Sequence, residues 1–281
     1  NFTFATGTLA VTKANLTVKA NDITRAYGES NGTLGVTYDG FGAGESLGTS
    51  DVKGTPAVTT TASSASTVGS YAITVGAGGL TSANYNFVFV NGSLNIQKAQ
   101  LTVTAESKSR RYGSANPTLT YRISGYKNND SLSAGAVTGA PVLSTSADST
   151  SPINTYAITV DTGSLAAANY AFNLANGTLT VSKALLTVRA ENKSRLYGET
   201  SPALTFVLNG FVNGENAGVL TGEPTVSTSV SDTSGAGTYD INISGGTLSA
   251  TNYEFAFAKG AYTIGKATLT DRKSTRLNSS H

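Results

Sequence analysis

Three Arg-x-Tyr pairs, Arg25/Tyr27, Arg110/Tyr112 and Arg195/Tyr197, are the side chains of this sequence best suited to holding a ligand. At positions i and i+2 of an extended segment, both side chains leave the backbone on one face. A guanidinium beside an aromatic ring could there grip a carboxylate or a sugar ring. The same pair also has an internal reading, with tyrosine packed at a chain corner and arginine bonded to nearby carbonyls or stacked on the ring. Glu45, Asp130 and Glu215 are acids at one shared offset, and Ca²⁺ is the ion that such hard oxygen ligands would take. Each loop brings a single carboxylate, however, and GAGES around Glu45 has no Asn at hand. An acid at the start of a short helix is better explained by capping and the helix dipole, so no cofactor is expected.

Catalytic chemistry finds little to work with. There is no Cys, and the single His is His281. A Ser-His-Asp or Cys-His arrangement, and an imidazole or thiolate metal site, therefore has no residues in 1–270 from which to be built. A glycosidase-like pair of carboxylates needs two acids at a fixed separation, yet only one acidic position recurs throughout the chain. The expectation is that this is not an enzyme. Asn31, Asn91 and Asn176 open Asn-Gly-Ser/Thr triplets, which match the glycosylation acceptor pattern but read as turns.

What positions these residues is a tandem repeat. KANLTVKANDITRAYG from Lys13, KAQLTVTAESKSRRYG from Lys98 and KALLTVRAENKSRLYG from Lys183 are copies of one stretch, and KATLT begins a further copy at Lys266. These starts lie 85, 85 and 83 residues apart. A period of this regularity marks an array of like domains, so function has to be read per repeat. The boundaries are 13–97, 98–182 and 183–265, with 1–12 the end of a preceding repeat and 266–270 the start of another.

Within a repeat the pattern is that of β-strands. Leu101, Val103 and Ala105 alternate with polar residues, as do Leu119, Tyr121 and Ile123, then Tyr156, Ile158 and Val160, then Tyr170, Phe172 and Leu174. About six strands per repeat are expected. Leu132, Ala136 and Val137 have helical spacing over about two turns, stopped by Thr138-Gly139-Ala140-Pro141. Asn176-Gly177 has the form of a two-residue hairpin turn. The last strand of each copy runs into the next without Gly, Pro or a polar linker, which predicts a stiff, elongated array touching only neighbours.

Residues 271–281, DRKSTRLNSSH, break the repeat and resemble a translated sequencing-library adapter; they are read as a non-native tail. The chain has 19 basic and 17 acidic residues, net +2. Setting aside Arg272, Lys273, Arg276 and Asp271 leaves the two signs equal. A neutral array has no electrostatic footprint for nucleic acid or an anionic membrane. No apolar run reaches the ~18 residues of a membrane helix, so no membrane insertion is expected within this sequence. Charged residues make up 13 %, about half the ~25 % of ordinary globular domains. Such a polar, weakly charged, cysteine-free composition suits an extracellular repeat protein.

The Arg-x-Tyr-Gly turn, Gly125-Tyr126 and Gly210-Phe211, the Thr-Gly-x-Pro stop and the Tyr-x-Ile and Asn-Tyr strands together resemble the MBG domain of the YGX type. That family occurs in tandem in large bacterial surface proteins, often beside filamentous-haemagglutinin-like segments. The resemblance covers residues 1–270, and copy one departs from it with Asn31-Gly32 in place of Asn116-Pro117. It implies a small β-grasp-like module with one short helix; an immunoglobulin-like β-sandwich is the alternative that the strand pattern allows. It further implies a secreted or cell-surface bacterial adhesin. On this reading the chain is a structural stalk presenting a distal binding region, its partners the neighbouring repeats of the same chain. The alternative is a module that binds host or environmental glycans or mucins, with repeats multiplying weak affinities.

Overall fold

The computed structural model describes residues 2–42 and 44–268. The adapter-like tail and the last two residues of 266–270 lie outside them. Each repeat supplies seven strands, one more than its alternation suggests. In the first these are β1 (Ala14–Ala20), β2 (Ile23–Ala26), β3 (Val36–Asp39), β4 (Ala57–Thr60), β5 (Gly69–Gly76), β6 (Tyr85–Val90) and β7 (Gly92–Gln97). The second has β8 (Ala99–Ala105), β9 (Lys108–Arg111), β10 (Tyr121–Ser124), β11 (Val142–Ser144), β12 (Asn154–Asp161), β13 (Tyr170–Ala175) and β14 (Gly177–Ser182). The third has β15 (Ala184–Ala190), β16 (Lys193–Leu196), β17 (Phe206–Asn209), β18 (Thr225–Thr228), β19 (Gly237–Ser244), β20 (Tyr253–Ala258) and β21 (Gly260–Gly265).

The strands of every repeat divide into a three-stranded and a four-stranded sheet. In the first repeat their orders are β3-β1-β6 and β2-β7-β5-β4. β1 runs antiparallel to β3 and parallel to β6, and β7 runs antiparallel to β5 and parallel to β2. β1 lies against β5 and β7 of the other sheet. Its inward residues Leu16, Val18 and Ala20 are fully buried, as are Ile73 of β5 and Leu94 of β7. The alternation of apolar and polar residues thus becomes two facing apolar surfaces, and removing them from water drives the packing. In the third repeat Ala190, Ile241, Tyr262 and Ile264 close the same core.

Two expectations are corrected. The two-turn helix at Leu132–Val137 does not form; the stretch is a series of turns, and among the described residues only the third copy keeps one 3₁₀ turn, Ala217–Val219. Gly135 takes a left-handed φ of 75°, which breaks a segment already too short to hold a helix by itself. Without that helix there is no helix-backed sheet of the β-grasp kind, and the two-sheet packing is that of a sandwich with mixed pairing. Nor does Asn176-Gly177 make a hairpin turn. β13 and β14 belong to different sheets, as do β6 and β7 at the equivalent Asn91-Gly92, and none of the four residues has positive φ. Asn91 Oδ1 instead accepts from Val75 N at 3.2 Å, and a Cβ on Gly92 would lie 2.5 Å from the Ala20 carbonyl oxygen. Glycine is needed there for a close backbone approach.

By compactness the chain divides into two units, and the border passes through the middle repeat. The first unit holds the residues up to Ala105, Thr120–Leu143 and Thr159–Asn176; the second holds Glu106–Leu119, Ser144–Ile158 and the described residues from Gly177 on. Each unit contains one complete repeat and one junction between consecutive repeats. At each junction a single lysine separates the strands, Lys98 between β7 and β8 and Lys183 between β14 and β15. Their ammonium groups donate to Ala167 O at 3.0 Å and Ala250 O at 3.1 Å. No helix among the described residues is long and apolar enough to cross a membrane.

Candidate functional site

The arginines of the three Arg-x-Tyr pairs face inward. Arg25, Arg110 and Arg195 are 6 %, 7 % and 5 % exposed. Arg25 donates from Nε to Asn31 Oδ1 at 2.8 Å, and from its terminal nitrogens to Ala26 O and Ser63 O at 3.0 and 2.5 Å. Arg110 repeats this with Asn116 Oδ1 at 2.7 Å, Arg111 O and Asp148 O. Each guanidinium therefore ties the corner after a short strand to a Ser/Thr-rich loop some 38 residues further on. Arg195 keeps its bonds to Leu196 O and Ser231 O, but its Nε is buried without a partner. The third copy has Ser201 where the others have Asn31 and Asn116.

The tyrosine two residues on faces the other way. Tyr27, Tyr112 and Tyr197 each hang from the last strand of their own repeat, donating a backbone N–H to Gln97 O, Ser182 O and Gly265 O at 2.8–2.9 Å. This places the ring where the next repeat begins. Tyr27 and Tyr112 are only 5 % exposed, whereas Tyr197 is 51 % exposed.

What buries the first two is the following repeat. The Tyr27 hydroxyl donates to Asp130 Oδ2 at 3.1 Å, and Tyr170 donates to the same oxygen at 2.7 Å. The two rings meet edge to face, 5.4 Å between centroids at 83°. The next junction repeats the plan: Tyr112 donates to Glu215 Oε1 at 2.7 Å, Tyr253 donates to Glu215 Oε2, and the rings lie 5.9 Å apart at 84°. Tyr112, Val181, Ala184, Leu186 and Tyr253 form one buried cluster running from the second repeat into the third.

Ionised carboxylates accept only, so two phenol donors complement one acid without competing for it. Hydrogen bonds to an ionised acceptor are also the stronger kind. Burial, and then the bond to the acid, push Tyr170 and Tyr253 up to about 12. The bond to Glu215 is the first cause holding Tyr112 above the ordinary tyrosine value.

The glycine after each tyrosine has a role of its own. Gly28 and Gly113 have φ of 83° and 80°, and a Cβ on either would lie 2.3 Å from Lys127 Cβ or Val212 Cγ2 of the next repeat. Bare backbone there lets the neighbour close onto the turn. Loop bonds complete the contact. Val68 N donates to Asn169 Oδ1 at 3.1 Å and Ile153 N to Asn252 Oδ1 at 3.2 Å. Asn128 and Asn213 Nδ2 donate to Ser64 O and Ser149 O at 3.0 and 3.2 Å.

Of the residues singled out by sequence, the structure therefore brings Tyr27 and Tyr112 to the recurring acid of the next copy, and leaves Tyr197 exposed. It does not bring the arginines to that acid. Asn169 and Asn252 belong to the Asn-Tyr pair that recurs in every copy, a pair whose sequence marks a strand and gives no sign of the contact to the preceding repeat. Among the described residues no group of three or more acids or histidines is placed to hold a metal ion.

Comparison with known proteins gives the sequence family. The profile of the MBG domain (YGX type) matches residues 16–95, 101–180 and 186–263. No curated protein matches the chain significantly. Three solved structures align with it at low similarity. The I9–I11 tandem of titin has 11 % identity and a TM-score of 0.25, covering 90 % of this chain and 100 % of that one. Drosophila N-cadherin EC1-3 has 8 % and 0.20, covering 95 % and 92 %. Three N-terminal domains of the bacteriophage RB49 outer capsid protein Hoc have 12 % and 0.20, covering 91 % and 100 %.

Two predictions come from this geometry. Tyr170 and Tyr253 bind their proton more tightly in the folded chain than in the unfolded one. Their contribution is complete below the ordinary tyrosine value and is lost as pH rises toward about 12. Thermal melts should hold steady from pH 8 to about 10 and fall above it, less steeply in Tyr253→Phe; an equal fall in that variant would contradict the assignment. Ser201→Asn should supply the partner that Arg195 Nε lacks and stabilise the third repeat by about 1 kcal/mol in denaturant titrations. No gain would mean that the nitrogen is already satisfied by solvent.

Proposed function

The chain belongs to the MBG (YGX-type) family, in three tandem copies, and from that premise we propose that it is a structural segment of a bacterial cell-surface adhesin. Its work is to hold a distal binding region away from the cell, with each repeat locked to the next. The observation that carries this reading is the burial of Tyr27 and Tyr112 in the following repeat. A string of independent binding modules would have no need to bury its most regular motif in its own neighbour. Single-lysine junctions support the same reading, because slack linkers transmit orientation poorly. The near-neutral, weakly charged, cysteine-free composition suits a secreted or surface-exposed location.

A glycan- or mucin-binding reading needs exposed aromatic faces. Of the three motif tyrosines only Tyr197 offers one, beside a depression of about 360 Å³ lined by Gly235, Ala236, Lys266 and Ala267. The test is a glycan and mucin array probed with the whole chain. Signals no higher than those of a scrambled-surface control are expected. Saturable binding that disappears in Tyr197→Ala, with the melting curve unchanged, would make the chain a binder and overturn the spacer reading.

A further inference from the structure

We infer that the second repeat carries a binding site for a small hydroxy or amino acid, built on the backbone N–H groups of Ala168 and Asn169. The inference goes beyond the spacer reading and does not rest on it. It comes from comparing the copies with one another. In the first repeat, the turn before β6 is held by a carboxylate of the chain itself. Asp51 Oδ1 accepts from the Ser82 hydroxyl at 2.7 Å, and Oδ2 accepts from Ala83 N at 2.5 Å and Asn84 N at 3.1 Å. The Ser82 bond is the first cause holding the Asp51 carboxyl below its ordinary value, so the group on this turn is an anion.

One period of 85 residues further on, both acceptors are gone: Ala136 stands at the place of Asp51 and Ala167 at that of Ser82. The turn itself is kept, with the same bend before the strand and the same bridge beside it, Thr138 to Ala166 in place of Lys53 to Thr81. The N–H groups of Ala168 and Asn169 have no partner among the described residues. A cavity of about 460 Å³ opens beside them, lined by Tyr27, Asp130, Ala136, Ala168 and Asn169 among others. Adjacent N–H groups of a turn make an anion-binding concavity, and Asp51 shows that this turn takes a carboxylate. Lys98 adds a positive charge, donating to Ala167 O at 3.0 Å. Asp130 decides the rest of the ligand. Its Oδ2 accepts from Tyr27 and Tyr170, and its Oδ1 has no partner among the described residues. A bare anion would meet that charge, whereas a carboxylate with an adjoining hydroxyl or ammonium group can donate to it. The third repeat is the contrast. Val219 stands at the place of Ala136, and the space is divided into cavities of about 250 and 170 Å³, each lined in part by Val219 and Thr251.

A ligand of so few atoms, held by a handful of hydrogen bonds, should bind with a Kd on the order of 1 mM. Lactate and glycine are the probes, with acetate as the carboxylate that lacks a donor. In amide NMR spectra of the 281-residue chain, lactate or glycine should move the Ala168 and Asn169 resonances saturably. Acetate should need a concentration at least ~10-fold higher for the same movement. Ala83 and Asn84, already held by Asp51, should stay in place, as should Thr251 and Asn252 beside Val219. Ala136→Asp gives the turn a carboxylate of its own, as in the first repeat. It should shift the two amides before any ligand is added and weaken binding at least ~10-fold. Ala136→Val copies the third repeat and should abolish the response while the rest of the spectrum is unchanged. Amides that stay still up to about 100-fold above the expected Kd would overturn the inference. So would equal movement of Thr251 and Asn252, acetate binding as tightly as lactate and glycine, or a response that survives both Ala136 variants. Each of these failures leaves the bonds of Tyr27 and Tyr170 to Asp130 standing, and with them the spacer reading.

Discussion

Asp130 and Glu215 each accept two phenol hydroxyls, one from their own repeat and one from the repeat before. A tyrosine buried at a junction must place its hydroxyl against an acceptor or lose the hydrogen bond that water gave it. A single acceptor-only group that serves two hydroxyls meets this need for both sides of the junction together. It also makes the junction conditional on both repeats being folded, since either alone leaves the acid half served. The edge-to-face rings add the preferred geometry of an aromatic pair to that polar contact.

Around this contact the rest of the repeat is arranged. The inward arginine holds the corner from which the tyrosine projects, and the last strand anchors the tyrosine backbone. A bare glycine then leaves room for the neighbour. The short Arg-x-Tyr-Gly stretch thus faces inward with one residue, outward with the next but one, and turns with the last. That division of labour explains why residues so close in sequence have such different surroundings. It also explains why the compact units of the chain divide through a repeat: each junction draws the facing parts of two repeats into one unit.

Much of the fold was legible because β alternation is local. Leu101, Val103 and Ala105 read as one buried face and are buried. Helical spacing at Leu132–Val137 misled, because three apolar residues among Ser, Ala and Gly bury too little to hold a helix that has no packing of its own. Asn176-Gly177 misled, and its counterpart in the first copy shows why: Gly92 answers to the Ala20 carbonyl, a contact that no short window contains. The joint was hidden for the same reason. Tyr27 and Asp130 lie 103 residues apart, as do Tyr112 and Glu215, and nothing beside either residue names the other. Only their common recurrence carried a trace of it, and on local grounds the acid was read as a helix cap.

The central claim is that tyrosine and acid couple one repeat to the next, and a double-mutant cycle measures that coupling directly. Tyr112→Phe, Glu215→Gln and the pair should be compared in urea unfolding followed by a probe in the third repeat. Because the partners are in contact, the losses should fail to add by about 1–2 kcal/mol. Additive losses, within a few tenths of a kcal/mol, would mean that the hydroxyl and the carboxylate act independently and that the junction is held by something else.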